Sequence, residues 1–183
     1  MSVGRLRSQV FLGVLLTVGM LMSTMAEPIH AATHIVPGAT IEADPETVRE
    51  LMAAFDQAED AIKQKNLDRL MTFYATDYNY HGLTKADIRK IWQDLFDNYK
   101  DIGSTHMFAL IRVSGPSSAA SVEITCSGSL YATSDVTKLR IPIDSWYQEV
   151  HFLVKEKGSW RIRGNVGDTP KVMPFGTAPH PLF

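Results

Sequence analysis

Apolar residues recur at spacings of three and four over the first third of the chain. Val48, Leu51, Met52, Phe55, Ala58 and Ile62 form one stripe, and Glu46, Glu50, Gln57 and Lys63 fall off it. That period predicts an amphipathic helix with one buried face, running to about Lys65. Asp44 is suited to cap it, and Pro45 to fill the first helical position, where no N–H is needed. A short second helix is expected after Asn66, with Leu67, Leu70, Met71 and Tyr74 apolar. A short strand follows over 77–81, ended by Gly82. Thr84 and Asp87 resemble a capping box and open a third helix bearing Ile88, Ile91, Trp92, Leu95 and Tyr99.

From Ser104 the period changes from helical to alternating, the signature of strands. Met107, Ala109, Ile111 and Val113 alternate with His106, Phe108, Leu110 and Arg112. After a turn over 115–118, Ala120, Val122, Ile124 and Cys126 share one face, and Gly128 marks a bulge or strand end. A long strand is predicted over 139–154, with Pro142 marking a bulge. Glu156, Lys157 and Gly158 read as a three-residue hairpin loop that pairs Val154 with Trp160 and Phe152 with Ile162. Trp146, Gln148, Val150, Phe152 and Val154 then face inward with Trp160 and Ile162, while Glu149, His151, Arg161 and Arg163 face outward. A bulge or a one-residue slip would exchange those faces.

The two ends differ from this pattern. Arg5 and Arg7 precede an uncharged run over 10–22, and Thr24 and Ala26 supply small residues before a cleavage site. Residues 1–26 are therefore expected to be a secretory signal peptide, with a periplasmic or secreted product. The apolar run is shorter than the roughly 20 residues of a spanning helix. Left uncleaved, it would be the only membrane contact. Residues 27–43 read as a flexible leader, 44–168 as one domain and 169–183 as a Pro-rich tail.

The chain has 183 residues, 18 Lys and Arg, 20 Asp and Glu, and a formal net charge of −2. It has no basic footprint for nucleic acid. One Cys excludes an internal disulfide and a multi-Cys zinc site. The sequence contains no Gly-rich phosphate loop, Gly-x-Ser-x-Gly elbow or His-Glu-x-x-His, so no metal or cofactor is expected.

The order helix, helix, short strand, helix and then a curved sheet resembles the nuclear transport factor 2-like superfamily. The likeness runs over about 44–166. It is carried by the long opening helix, by Phe73-Tyr74-Ala75-Thr76-Asp77-Tyr78, by the helix entry from Gly82 to Ile88, and by Gly158-Ser159-Trp160-Arg161-Ile162. The superfamily includes ketosteroid isomerase, scytalone dehydratase, limonene epoxide hydrolase and the SnoaL-like polyketide cyclases. The resemblance implies an α+β fold, with a curved antiparallel sheet wrapped around three N-terminal helices as a cone with a central pocket. It also implies a homodimer through the outer sheet face. It does not fix the chemistry, because one fold hosts many functions.

Family enzymes place a carboxylate or His in the cone as base. Asp144 shares the predicted inward face of Trp146 and is the candidate catalytic acid or base. Phe55, Tyr78, Tyr80, Trp92, Trp146 and Gln148 are candidate ligand-binding residues. Asp77 and His81 face away from Tyr78 and Tyr80. His106 and His151 are expected on the outer sheet surface, and Cys126 as a buried small hydrophobe. The expected function is an exported module binding a small apolar or aromatic molecule or building an oligomer; the alternative is a cofactor-free isomerase, dehydratase or cyclase. A membrane-anchored subunit of a secretion assembly is a third. An inward carboxylate or His bonded to Tyr or Gln favours the enzyme; a cone filled by aromatic side chains favours the module.

Overall fold

The computed structural model describes residues 32–80, 82–115 and 120–164. The expected signal peptide, His81 and the Pro-rich tail lie outside them. The elements are β1 (Ala32–Glu42), α1 (Pro45–Lys63), α2 (Leu67–Leu70), β2 (Asn79–Tyr80), β3 (Leu83–Thr84), α3 (Lys85–Asn98), β4 (Tyr99–Ser114), β5 (Ser121–Ser134), β6 (Arg140–Glu156) and β7 (Ser159–Ile162).

The helix ends follow from local chemistry. Asp44 Oδ1 accepts the Thr47 backbone N–H at 2.9 Å, and Asn66 Oδ1 accepts that of Arg69 at 3.0 Å. Asp87 reaches back to the Thr84 N–H at 2.9 Å, completing the expected capping box. α1 buries Leu51, Phe55, Ala58, Ala61 and Ile62, and α3 buries Ile88, Trp92, Leu95 and Phe96.

The architecture is α+β, with a curved sheet in the order β1-β4-β5-β6-β7 and a separate β2-β3 ribbon. The sheet is mixed, not wholly antiparallel. β1 comes from the segment expected to be a flexible leader, and it pairs parallel to β4 at the sheet edge. Its register slips between Ile35 and Thr40, at Pro37 and a left-handed Gly38. This irregularity hid the strand from a reading based on strict alternation.

Four irregularities break the long strands. β4 has extra residues near Asp101–Ile102 and at Ala109, and β6 at Ile143 and Tyr147–Gln148. Each bulge bends the sheet and swaps the faces beyond it. Ser104, His106 and Phe108 therefore point inward before Ala109, and Ile111 after it. Trp146 points inward before the β6 bulge, and His151 and Leu153 after it. Val150, Phe152 and Val154, expected inside, are only half-buried.

The β6–β7 hairpin is tighter than expected. Glu156 pairs with Ser159 and Lys155 with Trp160, leaving a two-residue turn. Lys157 and Gly158 both have positive φ, which matches the right-handed strand twist.

Candidate functional site

Cross-strand register arranges the inner face of the wider sheet half as three rows. Ser104 pairs with Leu130, and Leu130 with Asp144. His106 pairs with Gly128, and Gly128 with Trp146. Phe108 pairs with Cys126, and Cys126 with Glu149. Directly opposed residues share a face. α1 lays Phe55 and Glu59 over this grid. Phe55 makes edge contacts with His106 and Phe108 at centroid distances of 5.1 and 4.9 Å.

Gly128 makes the middle row possible. A Cβ there would lie 2.0 Å from the Thr105 carbonyl oxygen and 2.6 Å from the Trp146 ring. Glycine lets the indole lie across β5. Trp146 Nε1–H then donates to Cys126 Sγ at 3.3 Å, and the ring centroid sits 5.3 Å from that of His106. Gly128 is not a strand end; it borders the β5–β6 register irregularity and is a close-approach position inside β5.

A polar chain crosses the interior. Ser104 Oγ hydrogen-bonds Glu59 Oε1, and the Ser104 backbone N–H reaches Glu59 Oε2 at 3.4 Å. His106 Nε2 is 2.9 Å from Ser104 Oγ and 3.6 Å from Glu59 Oε1. Cys126 Sγ lies 3.7 Å from His106 Nδ1. The His106 tautomer protonated on Nε2 gives each donor an acceptor in one direction: Trp146 to Cys126, Cys126 to His106, His106 to Ser104, Ser104 to Glu59. Glu59, 3% exposed, closes the chain as acceptor.

The environment sets the charges. Burial raises the Glu59 carboxyl to about 7, and the Ser104 N–H only partly opposes it. Burial lowers His106 to about 3, so its imidazole is neutral at physiological pH. Burial raises the Cys126 thiol to about 11 despite the Trp146 donor, which leaves it a poor nucleophile.

On the other side of Cys126, the β6 bulge turns Glu149 inward. The Tyr80 hydroxyl donates to Glu149 Oε1 at 2.7 Å. Trp92 Nε1–H donates to the Tyr74 hydroxyl at 2.7 Å, and Tyr74 packs edge-on against Tyr78 at 5.1 Å. Lys85 Nζ donates to the Tyr74 carbonyl at 2.6 Å.

The candidates from sequence divide accordingly. Phe55, Tyr78, Tyr80, Trp92 and Trp146 are all buried in the interior. Gln148 is exposed, because the bulge puts it at φ 52° with its N–H on Ser127 Oγ. Asp144 keeps the inner-face parity expected of it but is half-buried, and its Oδ1 accepts the Ser145 N–H at 2.8 Å. His106 and His151, expected outside, are 0% and 2% exposed, for the bulge reasons given above. Asp77 pairs with Arg163 at 2.9 Å on the surface. Sequence reasoning missed Glu59. Its signal was position: four residues after Phe55 and three before Ile62, it is a carboxylate on the apolar stripe.

No protein-family model matches the sequence, and no curated protein matches it significantly. Solved structures do. A conserved protein from Planctomyces limnophilus superposes with a TM-score of 0.53 at 9% identity, over 66% of this chain and 94% of that one. Aln2 from a Streptomyces species superposes with a TM-score of 0.51 at 14% identity, over 67% of this chain and 90% of that one. A ketosteroid isomerase-like protein from Erwinia carotovora atroseptica gives 0.47 at 18% identity, over 66% and 94%. With three helices laid on a curved five-stranded sheet in the order described, the chain has the nuclear transport factor 2-like fold.

Proposed function

We propose that this protein is a cofactor-free proton-transfer enzyme of the isomerase, dehydratase or cyclase kind, acting on a small, largely apolar molecule at the inner sheet face. One observation carries the reading: a buried carboxyl, Glu59, raised to about 7 and wired through Ser104 to a neutral imidazole. A group with that affinity takes and returns a proton near neutrality with little loss of driving force. Glu59 is the general base. Ser104 and His106 hold it and stabilise its carboxylate form before it takes the proton. The Tyr80–Glu149 pair is a second inward carboxylate, bonded to a tyrosine, and Asp144 lies on the same face, paired with Leu130. The aromatic interior supplies apolar contact and excludes water, which strengthens such charge interactions.

The aromatic filling also supports the binding-module reading, with Phe55, Phe108, Trp92 and Trp146 as contact surface. The two separate on turnover. Deuterium uptake next to the carbonyl of a cyclic ketone such as 1-indanone, followed by NMR in D2O, measures proton abstraction directly. The enzyme reading expects catalysed exchange that rises with pH toward about 7 and falls about a hundredfold or more in Glu59→Gln. Saturable binding of the ketone without exchange would favour the module.

Export rests on residues 1–26, and the dimer through the outer sheet face on the resemblance. The side chain of Tyr147, 80% exposed on that sheet, suits such a contact. The intact mass of the native protein from its own compartment tests both.

A further inference from the structure

A cavity lies away from the inner sheet face, between α1, the turn after α2 and the β6–β7 hairpin. Its volume is about 240 Å³, below the roughly 300–1,000 Å³ of drug-sized sites. It exists because α1 places Ala53, Ala54 and Ala58 where larger side chains would fill the space, and Gly158 and Ser159 form the facing rim. The floor is apolar, with Phe73 and the Trp160 indole. The polar lining is Glu50, Gln57, Arg69, Thr72 and Arg161.

The charges are unevenly satisfied. Glu50 Oε2 already accepts from Lys155 Nζ at 2.7 Å and from Trp160 Nε1 at 2.8 Å. The Lys155 bond holds its carboxyl below the ordinary range, so it stays ionised and occupied. Arg161 is less fully satisfied. It is ion-paired with Glu156, Nε to Oε2 at 3.4 Å, but its buried Nε makes no hydrogen bond among the described residues. A buried donor without an acceptor is costly, and a guanidinium fork matches a carboxylate edge. Arg69, exposed on α2, borders the same space.

We infer that this cavity binds a small organic carboxylate, its acid group on Arg161 and Arg69 and its short apolar body on Phe73 and Trp160. Thr72 and Gln57 supply neutral hydrogen bonds at the rim. This site is independent of the proton-transfer reading, since it shares no residue with the Glu59 chain.

The test is a titration of the full chain with sodium benzoate at constant ionic strength. It is read by the amide shifts of Gly158 and Ser159 and by indole fluorescence. The expected result is saturable binding that weakens about tenfold in Arg161→Gln, as for loss of one charge-assisted bond. Arg69→Gln alters an exposed residue and keeps the test valid if the Arg161 variant folds poorly; it too should weaken binding. No saturable shift, or unchanged affinity in both variants, would overturn the assignment. A parallel titration with inorganic phosphate distinguishes the anion: phosphate binding without benzoate binding would overturn the carboxylate class.

Discussion

Replacing Glu59 by Gln removes one titrating proton while keeping an oxygen to accept from Ser104. In the folded protein the carboxyl holds its proton up to about 7; in the unfolded chain it releases it near the ordinary carboxyl value of 4.5. As pH rises through that window, the folded state binds more protons than the unfolded one, so the Glu59 contribution to stability falls. Moving a carboxyl from 4.5 to about 7 corresponds to about 3 kcal/mol, all of it lost once the pH exceeds the folded value. His106 acts in the opposite sense. Its folded value of about 3 lies below the ordinary 6.5, so stability is lost as pH falls through that range. Between 4.5 and 6.5 the two slopes oppose each other in the wild type. The Gln variant leaves the His106 slope uncovered. Urea unfolding of both proteins across 4.5 to about 7 should therefore show the variant gaining about 3 kcal/mol on the wild type as pH rises. A difference constant to within about 0.5 kcal/mol, the scatter expected of independent sites, would refute the claim that Glu59 is held protonated.

Two further outcomes follow from the same rows of residues. Gly128→Ala should destabilise the protein by about 3 kcal/mol, the upper range for overpacking, because its Cβ meets a backbone oxygen and the Trp146 ring. Loss of near-UV indole ellipticity together with a lowered denaturation midpoint would register it. Cys126 should resist a thiol reagent such as Ellman's in the native protein at pH 8 and react fully in denaturant, because it is buried and its thiol is raised to about 11. Rapid native labelling would contradict the packing assigned to it.

The helices were legible because each carried several agreeing signals. Asp44, Pro45, Asn66, Thr84 and Asp87 mark their starts, and a 3.6-residue stripe marks the buried faces. The strands were legible as strands, but their faces were not. A period of two has no tolerance: one inserted residue reverses every assignment beyond it. The bulge at Tyr147–Gln148 reversed Gln148, Glu149 and His151 together, and the frame that put Met107 inside instead of His106 failed at Ala109 in the same way. Neither bulge contains a Gly or Pro to announce it, and Gln148 adopts positive φ without being glycine. Most of the chemistry of the site depends on these two insertions. Without the β6 bulge, Glu149 would face solvent and Tyr80 would lose its acceptor; with a regular β4, either Ile111 or His106 would leave the interior. Asp144 lies before the bulge and in register with Trp146, so its face could be read directly. Glu59 needed no register at all. A carboxylate between Phe55 and Ile62 on a buried stripe costs too much to be incidental unless its proton is retained or its oxygens are bonded, and here Ser104 bonds them and burial retains the proton.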